Sequence, residues 1–170
     1  AASFVRGKSS GATGFVESSV NNSTAVKLLQ TSGTFSKLTK GAGNNAVIMG
    51  KKTWLSIPNT PLKMRDNLIL SNSLTIDKNG ETEIVKTFTD IKSLKEFCEK
   101  KQYDTVWVIG GNSIYKEFLG DPSLSELHVT YIDHDYDCDT FFPEIINAKV
   151  ISKTDKQLDD IDISYLVYQL

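Results

Sequence analysis

The stretch "VWVIGGNSIYKEFL", Val106 to Leu119, runs from an apolar segment through two adjacent glycines into a helical pattern. A chain that sets its two most permissive residues where a buried strand meets a helix leaves unpaired backbone N–H groups open to close approach by an anion. Working outward, the same grammar recurs. "NAVIMG" (45–50) is an apolar run of strand length, and "KKTWLSI" (51–57) is helix-like and stops at Pro58. "DNLILSN" (66–72) and "TEIVKTF" (82–88) are two more strands, and "TDIKSLKEFCEKK" (89–101) is a helix with Asp90 as its N-cap and Ile91, Leu94 and Phe97 at helical spacing. "SELHVTYID" (125–133) and "SYLVYQL" (164–170) are late strands, with "AKVISKTD" (148–155) a further candidate. Apolar strands alternating with helices imply an α/β fold. The expected sheet is mixed but mainly parallel, with helices on both faces, and consecutive late strands imply an antiparallel C-terminal edge.

At 170 residues, one domain over 1–170 is expected. Apolar content of 39% and charged content of 24%, with no membrane-length apolar run, predict a soluble protein. A net charge of −2 excludes broad attraction to nucleic acid or to a membrane surface, so an anion site has to be local. Cys98 and Cys138 lack metal-type spacing and no secretory leader precedes them, which predicts a reducing, cytoplasmic setting. Cys98 lies on the apolar side of its helix and reads as a small buried hydrophobe. Residues 1–34 differ from the rest: more than half are Ala, Ser, Thr or Gly, and Glu17 is the only acid. That composition predicts a flexible segment.

Open sheets bind ligands beyond the carboxyl ends of their strands. Two exits stand out. Gly50 is followed by Lys51, Lys52 and Thr53, and Gly110 and Gly111 by Asn112 and Ser113. Both present backbone N–H groups and small polar side chains, and the first adds two cations, which together suit a dinucleotide. The three-glycine dinucleotide fingerprint and the phosphate loop ending in Lys-Ser/Thr are both absent.

These blocks, taken in order, resemble dihydrofolate reductase. "NNAVIMGKKTWLSIPNTPLKMRDNLILSN", "VWVIGGNSIYKEFL", "ELHVTYID", "YDCDTFFPEI" and "SYLVYQL" look like that family's blocks at similar intervals, from about Phe35 to Leu170. The resemblance implies that family's α/β sandwich and a reaction in which NADPH reduces 7,8-dihydrofolate to tetrahydrofolate. It implies that Lys51, in place of the family's usual Arg, meets the phosphate on the adenosine ribose, as a point charge rather than a two-pronged clamp. Thr53 matches a pyrophosphate-contacting threonine. Ser71 matches a serine near the ribose phosphate, while Asn72 replaces a frequent second serine. Gly110 and Gly111 match a pair that carries a cis peptide beside the cofactor, with Ile109, Ser113, Ile114 and Tyr115 around the same pocket; Tyr115 reads equally well as a helix residue packed on the sheet. Arg65, in "PLxxRxN", matches the arginine that binds the α-carboxylate of the glutamate tail. Phe35, Ser56, Ile57 and Leu62 match folate-lining positions. Trp54 reads as a structural anchor near the cofactor, and Thr130 matches the threonine that bonds the catalytic carboxylate and the substrate.

The family's acid lies four residues before the aromatic residue, where this chain has Thr31, flanked by neutral Gln30 and Ser32. Glu17 fits the family's mobile loop better than the pocket. An alternative is therefore a nucleotide- or folate-binding relative without turnover. A reductase of a pyrimidine precursor of riboflavin is a third reading, against which Arg65 argues. The resemblance is compatible with a free enzyme and with one domain of a bifunctional chain that also makes thymidylate. Asp133, Asp135, Asp137 and Glu144 fall at calcium-loop positions, but Cys138 stands where that loop requires Gly and a strand precedes it. Asp139, Thr140 and Phe142 are expected instead in a loop that packs near the mobile loop. His128 reads as structural and His134 as a solvated loop residue.

Overall fold

A computed structural model describes residues 2–6, 13–14, 34–81, 83–133, 141–142, 144–158 and 160–170. The elements in chain order are β1 (Ala2–Arg6), β2 (Thr13–Gly14), α1 (Thr34–Lys40), β3 (Asn45–Gly50), α2 (Lys51–Ser56), β4 (Asp66–Leu70), β5 (Asp77–Asn79), β6 (Ile84–Phe88), α3 (Ile91–Lys101), β7 (Thr105–Gly110), α4 (Asn112–Leu119), β8 (Glu126–Ile132), β9 (Phe141–Phe142), β10 (Lys149–Leu158) and β11 (Ile161–Gln169). Among the described residues no helix is long and apolar enough to cross a membrane.

Nine strands form one sheet in the order β10-β11-β8-β1-β7-β3-β4-β6-β5, and β2 pairs with β9 in a second, two-stranded sheet. From β8 to β6 every neighbour is parallel, while β11, β10 and, at the opposite edge, β5 are antiparallel. The mixed, mainly parallel sheet follows from the central strands being apolar on both faces. Ala46 and Ile48 of β3 enter one core with Leu68 and Val108, whereas Val47 and Met49 enter a second core with Ile69, Trp107 and Ile109. Leu94 of α3 and Ile114, Tyr115 and Phe118 of α4 cover the first core. Phe35 of α1, Trp54 of α2, and Ile57 and Leu62 beyond it pack on the second.

The cap of α3 is as expected: Asp90 Oδ1 accepts from Ser93 N at 2.8 Å. Cys98 is half-buried against the first core, and burial pushes its thiol up to about 11.

One expectation is corrected. Ala2–Arg6, part of a segment whose composition argues for flexibility, is a strand set between β8 and β7, its register running from Ala2 opposite Leu127 to Arg6 opposite Tyr131. A central strand draws its order from ladders on both edges, which composition does not report. Phe142 lies in β9, where it pairs with Thr13, consistent with a loop packed beside the N-terminal segment. Glu17, Gln30, Thr31, Ser32, His134, Asp135, Asp137, Cys138, Asp139 and Thr140 lie outside the described residues.

Candidate functional site

Register assembles the site. In the parallel ladders Gly50 stands opposite Leu70, and Met49 opposite Gly110, so β3, β4 and β7 end side by side. Their exits bring together Lys51, Ser71 and Gly111, which are far apart in the chain. The β3–β7 register shifts after Ile48, leaving Ile109 as the extra residue of a bulge just before the glycines, a device common beside active sites. Gly110 has φ +110°, a conformation that suits glycine alone, and the Gly110–Gly111 peptide is cis. A Cβ on Gly50 would come within 3.2 Å of Ile114 Cγ1, so the backbone here passes directly over the core.

The polar end of the site holds unspent hydrogen-bonding capacity. Thr53 Oγ1 and Asn112 Oδ1 are both buried without a partner. Gly111 caps α4 with no side-chain bond. Lys51 Nζ donates to Ser73 Oγ at 2.9 Å, and Ser71 Oγ accepts from Ser73 N at 3.2 Å and Leu74 N at 3.1 Å. Lys52, Asn72 and Ser113 are exposed at the rim. The Lys51 ammonium, the Thr53 and Ser71 hydroxyls and the backbone N–H groups fit the acceptors of a phosphate-bearing ligand, while Asn112 Oδ1, itself an acceptor, calls for a donor elsewhere on such a ligand. Ile114 and Tyr115 are 5% and 1% exposed and lie in the first core, Tyr115 with its ring 5.2 Å from Phe142. Burial holds the Tyr115 hydroxyl well above the ordinary tyrosine range, and the packed reading is the one that its position supports.

The other end is apolar and closes on a cation. Phe35, Ile57 and Leu62 pack against Met49, Trp107 and Ile109. Ser56 turns its hydroxyl back to Thr53 O at 2.8 Å. Arg65 is only 4% exposed. Its Nη1 donates to Thr39 Oγ1 and its Nε to Lys63 O at 3.2 Å, and burial pulls its pKa below the ordinary arginine value. Among the described residues no carboxylate pairs with it. Lys63, by contrast, is bound at 2.7 Å to the buried Glu83 carboxylate. Among the described residues this buried guanidinium meets only neutral oxygens, which leaves it able to grip a carboxylate.

Thr130 is 6% exposed on β8, between Val5 of β1 and Tyr165 of β11. Leu127 and Val129 enter the first core, so the pleat turns Thr130 and His128 to the face of Phe35 and Ile57. His128 has its Nε2 at 3.0 Å from Glu126 Oε2 and its ring edge-on to Trp107. Trp54 packs in the second core, in keeping with an anchoring role. Among the described residues there is no group of three or more potential metal ligands.

Four residues escape sequence reasoning. Thr39 holds Arg65; Ser73 holds Lys51; Trp107 buries an Nε1 without a partner on the Thr130 side of the sheet; and Asn67, wholly buried, ties the Arg65 loop. Asn67 Nδ2 donates to Leu62 O and Arg65 O, both at 2.9 Å, while its Oδ1 accepts from Leu62 N at 2.9 Å. Only Asn67 has a sequence signal, as the last position of "PLxxRxN".

Comparison with known proteins agrees with this geometry. The family model described as dihydrofolate reductase matches residues 20–169, reaching back into the compositionally distinct N-terminal segment. Over 104 residues the chain is 46% identical to the dihydrofolate reductases of Sus scrofa and Gallus gallus, covering 59% of this chain and 56% and 55% of theirs. Over 110 residues it is 42% identical to bifunctional dihydrofolate reductase-thymidylate synthase 2 of Arabidopsis thaliana, covering 61% of this chain and 19% of that protein. The chain spans about half the length of the monofunctional relatives it matches. With nearly its whole length matched by the family model and the strand exits arranged as described, the chain belongs to the dihydrofolate reductase family.

Proposed function

We propose that the chain catalyses NADPH-dependent reduction of 7,8-dihydrofolate to tetrahydrofolate, and that residues 1–170 form one domain. The observation that carries this reading is Arg65, a buried cation that meets no carboxylate among the described residues and is tied through Thr39 to the helix of Phe35, while the β3 and β7 exits hold two buried polar atoms, Thr53 Oγ1 and Asn112 Oδ1, without a partner. A ligand with a carboxylate tail and an aromatic body complements the former, and a phosphate-bearing cofactor the latter.

When bound, NADPH supplies a hydride to the pterin carbon beside the ring nitrogen that takes up a proton. Lys51 and Ser71 bind the phosphate on its ribose, Thr53 the pyrophosphate, and the backbone around Gly110 and Gly111 lies against the nicotinamide end. Arg65 binds the α-carboxylate of the glutamate tail, with Phe35, Ile57 and Leu62 excluding water from the rings. Thr130 orients the pterin. Its neutral hydroxyl can pass a proton but cannot hold the charge that a carboxylate would. Thr31 at the family's acid position therefore favours a second reading, a folate- or nucleotide-binding relative without turnover.

The proposed setting is cytoplasmic, the product feeding one-carbon chemistry and thymidylate formation. The Arabidopsis relative's name brings thymidylate synthase to this chain as a partner, fused or separate. Loss of nicotinamide absorbance when the protein is mixed with NADPH and dihydrofolate, with methotrexate as a control, tests the reading. Inhibitable turnover supports the reductase; tight NADPH binding without turnover supports the binding relative.

A further inference from the structure

We propose that Ser73 is a positioning residue that sets Lys51 for a phosphate monoester on the adenosine ribose and so contributes to discrimination between phosphorylated and unphosphorylated nucleotides. The proposal rests on the reading of the β3–β4 exits as a cofactor site and adds a residue that neither the motif nor the resemblance assigns.

The donors and acceptors of the cluster decide which ligand suits it. An ammonium has three donors and no acceptor, and a hydroxyl has one donor and two acceptor positions. Lys51 Nζ spends one donor on Ser73 Oγ, and among the described residues no carboxylate pairs with it. Ser71 Oγ has both acceptor positions filled, by Ser73 N and Leu74 N, which leaves only its O–H to give. Ser73 Oγ accepts from Lys51 and likewise keeps its O–H. The cluster is thus left mainly with donors: two hydroxyl hydrogens and the remaining ammonium hydrogens, against one open acceptor position on Ser73 Oγ. A water or a neutral sugar hydroxyl both gives and accepts, whereas a phosphate monoester dianion accepts only, so the leftover set matches the phosphate.

Ser73 matters because lysine is a point charge on a flexible stem whose rotamers have to be ordered before it can hold a ligand. The 2.9 Å bond, made 22 residues along the chain, selects the rotamer that carries Nζ across from the β3 exit to the β4 exit. Without it, ordering the stem is left to the ligand.

The test is calorimetric titration with 2′,5′-ADP and, as the control lacking the 2′-phosphate, 5′-AMP. Wild-type protein should bind 2′,5′-ADP at least tenfold more tightly than 5′-AMP. Ser73→Ala should weaken 2′,5′-ADP about fivefold and leave 5′-AMP as it was, Ser73→Thr should restore binding, and in a Lys51→Met background Ser73→Ala should cause no further loss. Ser73 is exposed, so these variants should fold, and unchanged thermal melting checks this. Equal losses for both nucleotides, a fivefold loss that persists without Lys51, or a wild-type protein that binds both nucleotides equally or neither would overturn the proposal. The titration needs no dihydrofolate: a chain that shows the expected pattern yet does not reduce dihydrofolate refutes the reductase and supports the role of Ser73.

Discussion

The Thr39 hydroxyl accepts a hydrogen bond from the Arg65 guanidinium and donates its own hydrogen to Phe35 O at 2.8 Å. One side chain of α1 thus couples the buried Arg65 to the helix turn that carries Phe35. Asn45 Nδ2, donating to Thr39 O at 3.2 Å, anchors the same turn to the start of β3.

Thr39→Val keeps the shape and removes the acceptor, leaving a buried guanidinium hydrogen unsatisfied. A cost of about 1–3 kcal/mol in stability is expected, measured by urea denaturation. The KM for dihydrofolate should rise about tenfold while that for NADPH is little changed, since Thr39 holds Arg65 and makes no bond to Lys51 or Thr53.

Arg65→Lys retains the charge and loses the fork that grips a carboxylate at two points. Folate binding should weaken by about 10- to 100-fold, whereas pteroate, which lacks the glutamate, should bind wild type and variant alike. Fluorescence titration with the two ligands gives the comparison, and equal losses would place Arg65 outside the tail site.

Asn67→Leu is nearly isosteric and removes three buried hydrogen bonds to the loop of residues 62–65. It leaves the Leu62 and Arg65 backbone groups unpaired, so several kcal/mol of destabilisation is expected. Asn67→Asp should be nearly as costly, since the acid cannot donate to the two carbonyls. Denaturant midpoints check both.

Asp121, at the end of α4, bonds Lys95 of α3 and Ser123, which together hold its carboxyl down to about 2. A depressed native pKa stabilises the fold above the unfolded value, near 4, and that stability is lost as pH falls from about 4 to 2. The contribution is on the order of 1–2 kcal/mol after allowing for solvent at the helix end. Asp121→Asn should be less stable at pH 7 by about that much and should flatten the stability profile across this window, as read by denaturation at a series of pH values.

The Cys98 thiol, raised to about 11, carries almost no thiolate at pH 8. Iodoacetamide should modify it far more slowly in the native protein than in urea, as followed by mass spectrometry of the Cys98 peptide. Equal rates would show that α3 does not shield it.

How much was legible follows the range of the interactions. "NAVIMG", "TVWVIGG" and the Asp90 cap were readable because a strand's pleat, a helix's turn and a cap are settled within a few residues. The positions of Lys51 and Gly110 at strand exits were readable for the same reason, with residue type indicating the chemistry, whereas Ser71 and Arg65 were singled out by the family resemblance. What stayed hidden spans distance. Val5 lies opposite Thr130 across a ladder, Arg65 reaches Thr39 across 26 positions, and Lys51 reaches Ser73 across 22. By itself the sequence determined most of the strands and helices from Asn45 onward and which side chains there could meet an anion. Only the tertiary structure decided that Ala2–Arg6 is a central strand, that Arg65 is buried with no carboxylate partner among the described residues, and that Lys51 is held by Ser73. Strand register and burial are properties of segments distant in the chain brought together, and no local pattern encodes which partners they find.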